Sequence, residues 1–358
     1  MKKLLTLFLL LQLFSLNLLS VERIKLTGSS YEMGKAWAKK QSTNIKALQA
    51  QFNVMASYVL KKSPKEINAM SLKVAKHMAK EDLDELRGIA DAIGSKFEEV
   101  LTFNLFYTLC VTNIGCRQFV SWGDMTDDGN LVHARNLDWV DYPGSPMKRF
   151  NTIINFKGKG HQEYLSLTWP GFSSVLTGTN RAGITIAFNQ LPQKGDVNYI
   201  AEPTFYTIKR ALRSATTLQQ VIDIFQKTKP MDSGSVMVSD AKAKKAVVIE
   251  IIRGKVGLRK PKNNMISNAN HPTAETGVAE ARQNGNPDWP VCATAVKFSK
   301  KLSPKNVQNL MAHSNVLQPE LNILSVVFKY SANRMWLSCG KKSAAKGPFV
   351  ELKLFTDE

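Results

Sequence analysis

A chain of 358 residues is long for one small domain and comfortable for one large domain of helices and strands. It holds 48 lysines and arginines against 29 acidic residues, and a net charge of +19 favours anionic membrane surfaces, acidic substrates or nucleic acid as partners. The basic residues are scattered in small groups (Lys61-Lys62, Lys157 to Lys159, Lys242 to Lys245, Arg259 to Lys262, Lys300-Lys301, Lys341-Lys342), with no zinc-finger spacing and no basic helix interleaved with aromatics. That pattern favours a solvated basic face with a preference for anionic lipid over nucleic-acid binding.

Lys2-Lys3, an apolar run from Leu4 to Leu19 and the small Ser20 read as a secretory signal peptide over residues 1–20, and a periplasmic or secreted protein is expected. Two of the 48 basic residues lie in that leader, which leaves 46 against 29 and a net +17. The run is short for a bilayer-spanning helix, and no cysteine follows it closely enough for a lipid anchor. No Asn-x-Ser/Thr sequon occurs, which favours a bacterial exported protein over a glycoprotein.

From about Tyr31 to Phe106 the text is helical, with apolar residues at helical spacing over Ala36–Tyr58 and Lys65–Ile93 and an interruption at Gly94-Ser95. After Cys116 short strands are expected at Phe119–Trp122, Leu131–Trp139, Asn151–Phe156, Glu163–Trp169, Ser173–Leu176 and Ile184–Asn189. Helices follow at Thr204–Ser214 and Leu218–Thr228, then strands at Ser235–Ser239, Ala246–Ile252, Val256–Leu258 and Asn264–Ser267. The tail repeats the mixture, with helices near Ala293–Lys301 and Pro304–His313 and strands near Leu321–Lys329 and Arg334–Ser338. Strands in meanders and helices in blocks predict an α+β fold of antiparallel sheets layered with helices. No glycine-rich phosphate loop argues for a βαβ nucleotide fold.

The dipeptide Gly115-Cys116 and the run His133-Ala134-Arg135-Asn136-Leu137-Asp138-Trp139 carry the chemistry. A thiol becomes a good nucleophile when a base takes its proton, and the α-amine of the same residue, with a pKa of about 7.7–8.0, can be that base. An internal cysteine lacks the amine, so the 115–116 bond must first break through attack of the thiol on the Gly115 carbonyl. Glycine suits that position because it takes strained backbone angles and lets the sulfur approach. Taken alone, the pair reads as a buried structural cysteine. Arg135 and Asp138 change the reading, since two charges and an asparagine end a strand otherwise flanked by Leu131, Leu137 and Trp139. Asp138 is expected to hold the new amine, and Arg135 to steady the thiolate or the substrate carbonyl. Asn189 and Asn270 also end strands, where an amide donor can stabilise an oxyanion, and Arg282 in the following loop is a candidate clamp.

In that order, Gly115-Cys116, Arg135-Asn136-Leu137-Asp138, Asn189, Asn270-His271 and Arg282 resemble the N-terminal-nucleophile hydrolases of the choloylglycine hydrolase, acid ceramidase and N-acylethanolamine acid amidase group, above all its penicillin acyltransferase-like branch. Gly28-Ser29-Ser30-Tyr31-Glu32-Met33-Gly34 and Glu85-Leu86-Arg87-Gly88-Ile89-Ala90 extend the resemblance over most of the chain. It implies an αββα four-layer sandwich and self-cleavage into a helical small subunit, 21–115, and a catalytic one, 116–358, that remain associated. It also implies hydrolysis of linear amides without cofactor or metal. On that basis Cys116 is nucleophile and base, Arg135 and Asp138 are its partners, Asn189 and Asn270 form the oxyanion hole, and Arg282 supports the site. Two departures stand out: the stretch from Cys116 to Arg135 is longer than in the ceramidase-like members, and Arg117 follows the nucleophile where a small polar residue is commoner.

Rival readings are a papain-like pairing of Cys116 with His271, which leaves Arg135 and Asp138 without a role, and a non-enzymatic exported protein that binds lipid or polymer through its basic face. Cys110 lies in an apolar setting that reads as core, and the five histidines form no ligand spacing. With Cys116 kept as a thiol, Cys292 and Cys339 are the expected disulfide pair. The charge and the apolar segment Phe52–Leu60 together predict an acylated lipid or amino acid as substrate, presented at an anionic surface.

Overall fold

A computed structural model of the protein describes residues 21–110, 115–139, 152–191, 201–252, 254–270, 289–298, 301–340 and 343–356; residues 1–20, where a leader is expected, and His271 and Arg282 lie outside them. The chain opens on a strand, β1 (Glu22–Gly28), in a stretch that the helical reading passes over. Ile24 and Leu26 point inward and their neighbours outward, the period of two that a half-buried strand requires. Ser29 then caps α1 (Ser30–Leu60) in a reciprocal box with Glu32, and Ser63 with Glu66 does the same for α2 (Pro64–Ala75). Three more helices, α3 (Lys80–Ile93), α4 (Phe97–Asn104) and α5 (Phe106–Leu109), complete the N-terminal segment.

The single helix expected over Lys65–Ile93 is thus α2 and α3. Buried Ile67, Ser71, Val74, Ala75, Met78, Asp82, Glu85 and Leu86 keep helical spacing across the break at 76–79, so periodicity alone does not reveal it. Helices α1 and α3 touch backbone to backbone, since a Cβ on Gly34 would lie 2.1 Å from the Glu85 carbonyl oxygen and one on Gly88 2.1 Å from that of Tyr31. The two glycine-bearing motifs near the N-terminus are therefore the two sides of one close helix crossing.

Cys116 opens β2 (Cys116–Gly123), which turns back as β3 (Gly129–Asp138). There follow β4 (Thr152–Gly158), β5 (Tyr164–Thr168), β6 (Thr177–Asn180) and β7 (Ile184–Gln190), then α6 (Thr204–Ser214) and α7 (Leu218–Thr228). Next come β8 (Gly234–Asp240), β9 (Lys245–Ile252), β10 (Lys255–Arg259) and β11 (Met265–Asn268), with α8 (Trp289–Phe298) and α9 (Pro304–Ala312) after them. The chain ends through β12 (Asn322–Lys329), β13 (Arg334–Cys339) and β14 (Val350–Lys353). The strand expected at Ser173–Leu176 forms instead at Thr177–Asn180, a Thr-Gly-Thr-Asn run that reads as a turn.

The strands build two sheets, β1-β4-β5-β6-β7-β8-β9-β10 and β11-β2-β3-β12-β13-β14. Among the described strands only β1 and β4 pair in parallel. One core, from Trp37 and Phe103 on the helices to Ile186 and Ile249 on the larger sheet, seals the N-terminal helices, α6 and α7 onto that sheet. A second, with Met237, Ala246 and Val248 against Val120, Leu131 and Ile266, joins sheet to sheet. A third packs α8 and α9, through Val291, Ala295, Val307 and Leu310, onto Phe119 and Val132 of the smaller sheet. The order is helix, sheet, sheet, helix: the expected αββα sandwich, with the start of β2 buried between its sheets.

Candidate active site

Alternation along β2 turns Cys116, Gln118 and Val120 toward the larger sheet and Phe119 toward α8 and α9. Cys116 is 2% exposed. Arg135, fully buried on β3, donates from Nη2 to the Cys116 sulfur at 3.5 Å and to the Phe188 carbonyl at 2.9 Å. Its Nη1 donates to the Leu176 carbonyl at 2.8 Å and to the Thr177 hydroxyl. The guanidinium is thus oriented by main-chain carbonyls and a hydroxyl of the larger sheet while it faces the sulfur, a geometry that favours a thiolate. In the uncut chain burial pushes the Cys116 thiol up, and the Arg135 charge opposes it.

Asp138, the last residue of β3, sits opposite Asn322 across a bulge in the β3–β12 ladder, and Asn322 Nδ2 donates to its Oδ1 at 2.9 Å. Its Oδ2 is buried with no hydrogen-bond partner among the described residues. Burial raises the Asp138 carboxyl to about 7, although Asn322, Arg117 and Arg135 all pull it down. The main-chain N–H of Asp138 donates to the Gly115 carbonyl at 2.9 Å, the carbonyl a self-cleaving thiol must attack.

The peptide nitrogen of Cys116 donates to Asn270 Oδ1, and Asn270 Nδ2 donates to the Gln190 carbonyl at 2.7 Å. In the intact chain Asn270 therefore anchors the nitrogen and has one amide hydrogen of Nδ2 beyond its bond to Gln190, whereas Asp138, expected to hold this nitrogen, holds Gly115 by its main chain. The reason is hydrogen count: a peptide nitrogen carries one hydrogen, and Asn270 takes it. Asn189 is fully buried at the end of β7, with Oδ1 accepting from Gln118 Nε2 at 2.5 Å and Nδ2 without a partner among the described residues.

Cys116, Arg135, Asp138, Asn189 and Asn270, distant in the chain, thus converge where the two sheets meet. Arg117, the departure noted beside Cys116, turns its guanidinium back to the Cys116 carbonyl at 2.9 Å. Gln118, Asn322 and Tyr107 are neighbours that the sequence reading did not single out. Gln118 shows itself as a polar side chain two residues from the thiol on a strand face that otherwise continues into Val120. Tyr107, on α5, brings a buried phenol with no partner among the described residues, packed on Trp139 at 4.6 Å and Phe172 at 5.2 Å between ring centroids. Burial pushes that phenol well above its ordinary range, Arg135 pulls it back, and Cys116 adds to the rise.

The expected Cys292–Cys339 disulfide does not form: all four cysteines are thiols. Cys292 packs with the core beneath α8 and donates to Ser267 Oγ at 3.1 Å, whereas Cys339 packs with the larger core on the far side of the smaller sheet. Cys110 is fully buried, and burial lifts its thiol to about 12, as an apolar setting dictates. Among the described residues no group of three His, Cys, Asp or Glu side chains could hold a metal ion.

An N-acylethanolamine-hydrolyzing acid amidase of Caenorhabditis elegans is 24% identical over 191 residues, 49% of this chain and 52% of the relative. An acid ceramidase of Rattus norvegicus is 24% identical over 172 residues, 41% of each chain. The chain thus spans about half the length of the curated relatives it matches. Among solved structures, the Caenorhabditis elegans amidase ortholog covers 60% of this chain and 92% of its own at 18% identity and a TM-score of 0.49. A penicillin V acylase from Agrobacterium tumefaciens covers 63% and 83% at 16% identity and a TM-score of 0.42. The family profile described as acyl-coenzyme A:6-aminopenicillanic acid acyl-transferase matches residues 125–344, well over half of the chain, and the chain belongs to that family of N-terminal-nucleophile hydrolases.

Proposed function

We propose that the chain is a self-activating cysteine amidase that cleaves linear C–N amide bonds of N-acylated small molecules or lipids. The observation that carries this reading is the arrangement at one peptide bond: a buried thiol beside a guanidinium, its nitrogen held by Asn270 and the preceding carbonyl held by the Asp138 N–H. In the first stage the Cys116 sulfur adds to the Gly115 carbonyl carbon, the C–N bond breaks and the proton passes to the departing nitrogen. Water then hydrolyses the thioester, releasing a Gly115 carboxylate and a Cys116 that carries both thiol and α-amine.

In the second stage the amine takes the thiol proton, the thiolate adds to the substrate carbonyl, and the α-ammonium returns a proton to the leaving amine. The unpartnered Asn189 Nδ2 and the second N–H of Asn270 are suited to the oxyanion, and Asp138 Oδ2 to the added hydrogens of the new amine. Arg282 is proposed as an outer clamp. Hydrolysis and acyl transfer differ only in whether water or an amine takes the acyl group. Exported chains 21–115 and 116–358 stay together on this reading, because the larger core crosses the cut.

The basic surface and α1 also support presentation of the substrate at an anionic membrane. Val54 is 70% exposed and Tyr58 84%, beside the exposed Lys61 and Lys62. Two fragments meeting at 115–116 on a denaturing gel, absent in Cys116→Ala, test self-cleavage, and a panel of N-acyl amides tests the chemistry with the same variant as control. A single intact band after long incubation at mildly acidic and neutral pH, with no acylation of Cys116, favours the exported binding protein instead. Activity indifferent to anionic vesicles and to ionic strength overturns the membrane proposal.

A further inference from the structure

Gln118 is fully buried on β2, on the same strand face as Cys116 and opposite Arg135 in the β2–β3 ladder. Its Nε2 spends both hydrogens across the gap between the sheets, on the Ala187 carbonyl at 3.2 Å and on Asn189 Oδ1 at 2.5 Å. The order of these bonds is dictated from one end. A main-chain carbonyl only accepts, so it draws the NH2 of Gln118 toward β7, and that NH2 draws the oxygen of Asn189. Asn189 must then turn its own NH2 away from Gln118, where it meets no acceptor among the described residues. A buried donor left without a partner costs about 1–3 kcal/mol. The flanking residues of the same strand place it at the site: Phe188 gives its carbonyl to the guanidinium that faces the sulfur, and Gln190 gives its carbonyl to Asn270.

We propose that Gln118 is a positioning residue for acyl transfer: it sets the polarity of the Asn189 amide, so that a donor and not an acceptor is presented where substrate oxyanion charge develops. The proposal rests on reading Asn189 as an oxyanion donor. It separates the two stages of the chemistry, because the Gly115 carbonyl attacked in self-cleavage is held by the Asp138 N–H and not by Asn189.

The test uses the full chain and p-nitrophenyl butyrate, an activated acyl ester that reports acylation of the nucleophile by the burst of p-nitrophenol. Gln118→Glu faces the Ala187 carbonyl and the Asn189 oxygen with acceptors, so Asn189 turns its NH2 toward residue 118 and its oxygen toward the site. The acylation rate should fall by about 10²–10³-fold, the loss of one oxyanion donor, with KM little changed and self-cleavage at Gly115 retained. Gln118→Met, similar in size but without a donor, should lose less than Gln118→Glu, and should cost nothing further in an Asn189→Ala background. Equal losses of self-cleavage and acylation, or losses by Gln118→Met and Asn189→Ala that multiply, overturn the proposal in favour of a packing role. A Gln118→Glu rate within threefold of the parent, with Asn189→Ala still impaired, overturns the part given to Gln118 alone. Full acylation by Asn189→Ala overturns the reading of Asn189 on which it rests.

Discussion

Two buried groups of charges lie on opposite faces of the larger sheet, and they are built to different standards. Under the helical layer, fully buried Lys209 of α6 donates to Glu85 at 2.8 Å and to Ser173 at 2.8 Å, and lies 3.3 Å from Asp82. One turn on, Arg213 forks onto both Asp82 oxygens at 3.0 and 3.1 Å. Two cations face two carboxylates, and although burial pulls Arg213 down, Asp82 and its neighbours hold it above its ordinary value. Between the sheets more is left open: Asp138 Oδ2, Asn189 Nδ2 and Arg135 Nε are all buried without hydrogen-bond partners among the described residues. The first group ties α3 to α6, and of its four carboxylate oxygens only Glu85 Oε1 is left without a hydrogen-bond partner among the described residues. The second leaves donors and an acceptor unsatisfied on the strands around Cys116, as a site does when a reacting group completes it.

The largest expected effect removes the thiol from the open group. Cys116→Ala should abolish self-cleavage and lower amide turnover by a factor on the order of 10⁶, while the unfolding midpoint in urea holds. A midpoint that collapses with activity would break the contrast, since it would make the site part of the scaffold. Lys209→Met should do the reverse. It leaves Asp82 and Glu85 short of a cation in a sealed layer, and breaking a buried pair in this way costs about 3–5 kcal/mol. Urea unfolding should show that loss, and protein that stays folded should still self-cleave.

Asp138 sharpens the contrast through pH. A carboxyl that burial holds near 7 is protonated in the fold where the unfolded chain has already ionised it, so stability falls as pH rises from about 4 to about 7 and then levels. The full swing is on the order of 4 kcal/mol. In a Cys116→Ala background, which keeps the chain uncut, Asp138→Asn should lack that slope and be the more stable protein above pH 7. Urea midpoints from pH 4 to 8 that run parallel for the two variants would show that Asp138 does not titrate there.

Legibility followed the physics of each element. Thr204–Ser214 and Leu218–Thr228 appear in the structure at their expected bounds because amphipathic spacing and the Thr217 cap are local signals. The strands carrying Arg135, Asp138 and Asn189 were legible as apolar runs that end near polar residues, whereas β2 was legible only from Phe119, and its first residues, Cys116 among them, were not read as strand. What pairs with what was not. The Gln118–Asn189 bond spans 71 residues and the Asn322–Asp138 bond 184, and only the stacking of the two sheets and the β3–β12 pairing bring them together. Asp82 and Glu85 hid in the same way, as charges on a helix face whose counterions lie on α6. The strand β1 was readable from its alternation but was overshadowed by the helical text that follows it.

Gly115 gives the smallest effect and decides why a glycine precedes the thiol. It is not among the residues with positive φ, so the backbone freedom that the sequence suggested is not what this position uses. Space is: a Cβ at Gly115 would lie 1.9 Å from Gln318 Oε1, the end of a side chain that can swing aside at modest cost. Gly115→Ala should therefore fold and slow self-cleavage by about tenfold, the equivalent of about 1.4 kcal/mol at the attacked carbonyl. Gln318→Ala in the same chain should restore the rate, timed by the appearance of the two fragments on a gel. If the double variant stays as slow as Gly115→Ala alone, crowding is not the cause, and the methyl group must act on the attacked carbonyl itself. That would move Gly115 from the walls of the open site into its reacting centre.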